Sequence, residues 1–184
     1  MKRTSTALAA LLFAFAVPAI AEQTVRVGGQ AMLPGKTIVG NAVNSADHTT
    51  LVAAVKAAGL VDTLNSAGPF TVFAPVNAAF AELPAGTVDT LLKPENKPTL
   101  TKILTYHVVA GDYPSTKLRS LIVAGHGTAT LKTVAGGTLH LMMNGSNNIM
   151  VKDDKGGVAD ITISDVTQSN GVIHVIDHVL MPGA

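Results

Sequence analysis

Two hydrophobic patterns divide the chain. In the first half, apolar residues recur three or four positions apart: Leu51, Val52 and Val55, then Val88, Leu91 and Leu92, then Leu100, Ile103 and Leu104. This spacing puts each set on one face of a short amphipathic helix. Asp47 stands where the first of these would be capped and Gly59 where it would stop, with shorter helical turns read at 38–44 and 60–64. The run 70–74 is apolar and β-branched, a strand halted by Pro75, with Asn77 placed to cap the turn that follows. After Pro114 the segments 128–134, 138–144, 148–152, 158–167 and 172–180 read as strands. The breaks between them are rich in glycine, and Asn144-Gly145 and Asn170-Gly171 suit the positive φ of tight hairpins. Helices first and strands afterwards predict one α+β domain, an antiparallel sheet covered by its helical half.

The ends of the chain sharpen this picture. Met1-Lys2-Arg3 precedes an apolar stretch that closes on Ala19-Ile20-Ala21, the form of a secretory leader cut after Ala21. Its apolar part is shorter than the roughly 20 residues a spanning helix needs, so no membrane span is expected after cleavage. Residues 22–36 are Gly-rich without periodicity and read as a flexible lead-in, leaving 37–182 as the domain. There is no cysteine, so packing alone must hold an exported domain together. Without Lys2 and Arg3 the balance is 11 basic to 12 acidic residues, which argues against nucleic acid as a partner.

Candidate chemistry is sparse. Gly35-Lys36-Thr37 resembles the end of a phosphate loop, but Gln30 stands where its first glycine is required. His174 and His178 are four apart in a strand, about 13 Å, too far to share one zinc. No Gly-x-Ser-x-Gly elbow occurs, and Asp153-Asp154 falls in a turn without the ligand spacing of a calcium loop. The reading is of a protein that is not an enzyme and holds no cofactor or metal. Leu139, Leu141 and Met143 share one strand face, leaving Met142 and, on the next strand, Met150 as a possible apolar patch.

Three segments carry a resemblance. Residues 68–80, which include Thr71-Val72-Phe73-Ala74-Pro75, the pair Tyr106-His107, and the block Asn170-Gly171-Val172-Ile173-His174-Val175-Ile176-Asp177-His178-Val179-Leu180 resemble the signature blocks of fasciclin domains, in order and at family spacing. Val76 departs from the pattern, which places Thr, Ser or Asp there. The resemblance implies a compact wedge of β-strands and short helices, as in a bacterial single-domain member, exported to the periplasm or cell surface. It implies adhesion through contacts with a cell-surface or matrix protein, with a monomer expected. Tyr106, His107, Asp165 and Val166 fall on the family's adhesion motifs; the same rings suit burial, and Asp165 suits a cap for the turn toward Asn170. Some family members carry pigments such as carotenoids, which makes an apolar-ligand carrier at Met142 and Met150 the alternative, and an envelope scaffold a further one.

Overall fold

The computed structural model describes residues 24–183; the expected leader, 1–21, lies outside the described residues. The segment read as a lead-in contains two paired strands, β1 (Arg26–Val27) and β2 (Gln30–Ala31), turning at Gly28-Gly29. Val27 and the following Met32 are buried, so this hairpin is tied to the core rather than loose. The helical half follows: α1 (Ile38–Ala42), α2 (Thr49–Ala58) and α3 (Val61–Asn65), then β3 (Phe70–Pro75), α4 (Asn77–Ala81), α5 (Thr87–Leu91), α6 (Lys97–Tyr106) and β4 (Val108–Ala110). Next come α7 (Ser115–Ala124), β5 (Thr128–Lys132), β6 (Thr138–Asn144), β7 (Asn148–Lys152), β8 (Val158–Gln168) and β9 (Gly171–Ile176). Among the described residues no helix is long and apolar enough to cross a membrane.

Seven strands form one sheet in the order β4-β3-β9-β8-β7-β6-β5. Its two edges meet where Val109 bridges Thr133 and the Val134 amide donates to the Val108 carbonyl at 2.8 Å, so the sheet nearly closes into a barrel. The expectation of a wholly antiparallel sheet is corrected at one place, since β3 and β9 run parallel, Phe73 opposite His174. Side chains of this pair alternate between two cores. Val72, Ala74, Ile173 and Val175 lie beneath the helices, whereas Phe73, His174 and Ile176 face the barrel. Burial on both faces is why these strands are nearly continuous apolar runs, as parallel strands are. By contrast β5, β6 and β7 bury one side chain in two and leave the other face outward.

The capping of two helices differs from expectation: α2 is capped by a distant residue, and α4 has no side-chain cap. Asp47 lies in a single 3-10 turn, Ala46–His48, and α2 begins at Thr49. The first turn of α2 is capped by Asn77, whose Oδ1 accepts from the Thr50 amide at 3.0 Å while its Nδ2 donates to the Ala46 carbonyl at 2.9 Å. Asn77 therefore leaves its own helix, α4, without a side-chain cap, and Val76 at that cap position supplies none. Helix α7 was not anticipated at all, although Leu118, Leu121 and Ile122 have helical spacing and Gly125 follows. Gly171 is required where β3 and β9 meet: a Cβ there would sit 1.9 Å from the Phe70 carbonyl oxygen.

Candidate functional site

Tyr106 and His107 occupy the step from α6 to β4, and both are buried, at 0% and 3% exposure. The Tyr106 hydroxyl donates to the Thr138 carbonyl at 2.7 Å and accepts from the Asp154 amide at 2.9 Å, pinning the hairpin turn between β7 and β8 to the helix. Burial pushes the phenol pKa up to about 12. Gly137 makes room for this ring, because a Cβ there would lie 2.7 Å from Tyr106 Cε2. The Leu180 amide donates to His107 Nε2 at 3.0 Å, so the ring proton is on Nδ1, which donates to the Ile103 carbonyl at 2.9 Å. Burial lowers the pKa of His107 to about 4, and the ring is neutral at physiological pH. Neither side chain presents a polar atom at the surface, which is the buried arrangement weighed against a contact patch. The physical reason is that both polar groups are consumed in joining helix, barrel and C-terminal segment.

Asp165 stands in an irregular stretch of β8, where the register against β9 shifts, and its φ is +59°. Its carboxylate accepts from the Ser115 amide at 2.6 Å and from the Ser115 hydroxyl. It caps α7, not the turn toward Asn170, and places negative charge at that helix's N-terminus. Its amide donates to His174 Nδ1 at 3.4 Å, and His174 Nε2–H donates to the Tyr113 carbonyl at 2.8 Å. Val166 is buried in the core beneath the helices, so it too is unavailable to a partner. Asp153 is likewise spent internally, accepting from the Lys155, Gly157 and Met181 amides.

Met142 and Met150 face one another directly across β6 and β7, half-buried on the outer face of the sheet. Thr128 lies beside Met142 and Asp160 beside Met150. His140 and Lys152 form the next pair along the same face, above a shallow hollow that reaches the 153–156 turn. The core-facing partners of β6 are Leu139 and Leu141, with Met143 packed partly against them. Around the methionines, Asp160 accepts from the side-chain amides of Asn144 and Asn148 at 2.7 and 3.2 Å. Asp154 has its pKa lowered by hydrogen bonds, foremost from the Thr138 hydroxyl. This face combines an apolar centre with carboxylates held by hydrogen bonds and the exposed Lys152 at its edge.

Sequence reasoning gave Asn170 only a turn role and did not single out His48. Asn170 accepts from the Ile38 amide and donates to the Leu64 and Ser66 carbonyls, tying α1 and α3 to the start of β9. His48 is buried beneath the helices; its place in a 3-10 turn gives no periodic signal.

The fasciclin domain family model matches residues 46–182. Protein sll1483 of Synechocystis is 46% identical over 92% of this chain and 91% of its own length. The cell surface glycolipoprotein MPB83 of Mycobacterium bovis is 39% identical over 68% of this chain, which covers 49% of that protein. In structure, the chain resembles a FAS1 domain pair from the insect cell adhesion molecule fasciclin I, with a TM-score of 0.70 and 20% identity. That match covers 79% of this chain and about half, 51%, of the insect one.

Proposed function

The chain belongs to the fasciclin domain family, and from that premise we propose that it is an exported binding module, not an enzyme, which mediates adhesion to a cell-surface or matrix protein. Export is supported by the leader-like residues 1–21 and by a similar mycobacterial protein named for the cell surface. Adhesion is supported by the likeness to an insect cell adhesion molecule. The observation that carries the choice of surface is the Met142–Met150 pair. Among the sequence-derived candidates, Tyr106, His107 and Val166 are buried and the Asp165 carboxylate is engaged, while the two methionines stay at the surface.

An apolar pair bordered by Lys152 and Asp160 is the kind of surface that docks protein, with hydrophobic contact at the centre and charges at the rim. The same pair makes a poor carrier site, because two side chains on an open pleated face enclose nothing. A deletion strain should adhere less to a surface and to neighbouring cells, and the wild-type gene should restore adhesion. A Met142→Lys, Met150→Lys double variant should be exported and folded yet fail to restore it. Full restoration would remove this face from the reading. Normal adhesion of the deletion strain, with copurification of an envelope complex, would replace adhesion with the scaffold role.

A further inference from the structure

The outer face of the sheet also carries a set of metal donors, independent of the adhesion reading. Among the described residues, no cluster of three His, Asp or Glu is placed to hold a metal ion. Methionine adds a soft thioether sulfur to the choice of donors. His140 and Met142 stand two residues apart on β6, so both point to the outward face, roughly 7 Å apart along the strand. Met150 lies directly across from Met142 on β7, which puts the two Cβ atoms about 5 Å apart. All three side chains are half-buried, and His140 and Met142 border the shallow hollow above this face. Thr130, opposite His140 on β5, meets the ring's Nδ1 through its Oγ1 at 3.3 Å. That contact leaves Nε2 as the nitrogen for a ligand.

We propose that His140 Nε2 and the sulfurs of Met142 and Met150 bind one soft monovalent metal ion, Cu(I) or Ag(I). Each sulfur sits two bonds beyond its Cβ on an unbranched, flexible chain, so both can turn to one point between the strands. The imidazole reaches that point diagonally across the same face. With metal on Nε2 the ring proton is on Nδ1 and donates to Thr130 Oγ1, which fixes the tautomer and the orientation of the ring. Two thioethers and one imidazole suit Cu(I), with Ag(I) as its heavier analogue; zinc takes thiolate, imidazole or carboxylate. Lys152, opposite His140, opposes a divalent ion more than a monovalent one. The carboxylates of Asp160, beside Met150, and of Asp154, on the hollow, offset its charge.

The test is titration of the purified protein, labelled at its methionine methyl carbons, with silver nitrate in chloride-free buffer, followed by NMR. The methyl groups of Met142 and Met150 and the ring of His140 should shift together and saturate at one equivalent, while Met32 and Met181 stay in place. Cu(I), held reduced without oxygen, should displace the silver, and equimolar Zn(II) should leave the methyl groups unmoved. Replacing both methionines, Met142→Leu and Met150→Leu, keeps volume and apolar surface but removes both sulfurs, and should abolish the saturable binding of silver. Thr130→Val, which takes away the ring's outer partner, should weaken it about tenfold, and His140→Gln should weaken it further. The proposal is overturned if the shifts do not saturate, if Met32 or Met181 responds alike, or if the leucine pair binds silver as tightly as the parent. The shifts of the parent protein decide the matter even where a variant fails to fold.

Discussion

The barrel interior and the space beneath the helices share β3 and β9 as a common wall, yet they treat buried polarity differently. In the barrel, Tyr106 and His174 spend their polar atoms on backbone groups, and Leu118, Leu139 and Leu141 are fully enclosed around them. Beneath the helices a cavity remains, and the buried His48 beside it has one ring nitrogen without a hydrogen-bond partner among the described residues. One side is a jigsaw that fixes the fold. The other retains free volume and one buried polar atom left unmatched.

The largest test of this contrast is paired truncation. Leu139→Ala should cost about 4 kcal/mol and Leu51→Ala about 2 kcal/mol in urea unfolding, because the second side chain already borders free space; both lie within the range for buried leucines. Equal losses would dissolve the contrast. Acid comes next. His107 is neutral in the fold with its pKa lowered by burial to about 4, against about 6.5 when unfolded. Above pH 6.5 the ring is neutral in both states and costs nothing. As pH falls from 6.5 toward 4 the unfolded chain takes up the proton first, so this ring alone removes about 3 kcal/mol, and no more below pH 4. His48 and His174 are shifted in the same direction by burial and add to the loss. Unfolding midpoints at pH 7 and pH 4, with NMR titration of each imidazole, measure it.

Smaller effects sharpen the comparison. Tyr106→Phe should cost about 2 kcal/mol, since the Asp154 amide and Thr138 carbonyl lose their partner. His48→Leu should cost about 1 kcal/mol or less, because it removes one bond to Ser45 and one unpaired atom together. Asp165→Ala should cost about 1 kcal/mol through the lost α7 cap. Met142→Ser should change stability by less than about 0.5 kcal/mol, as expected of an outward-facing residue.

What could be read in the sequence follows the reach of the interactions involved. β6 and β7 were legible to the residue because glycine-rich turns bracket them. α7 was missed although its apolar spacing was visible, because its cap, Asp165, lies 50 residues away. Asn77 was read as a cap, but for the wrong helix, for the same reason. The parallel pairing of β3 with β9 was invisible, since hairpin turns announce only antiparallel neighbours. Tyr106 and His107 are buried because the helix-to-strand step turns both rings inward, and no periodicity reports such a step. Met142 and Met150 were legible because strand alternation alone decides their face.

The parallel β3–β9 pair also sets a clock. Residues 70–75 find their partners only at 171–176, within a few residues of the end of the described chain. Until that last strand has been synthesised, β3 lacks its central neighbour, the sheet cannot approach closure, and both cores stay open along a shared wall. Such distant pairing makes for slow folding, and synthesis delivers the chain from its N-terminus. The domain is thereby kept from completing its fold until residues 171–176 are available to pair with β3.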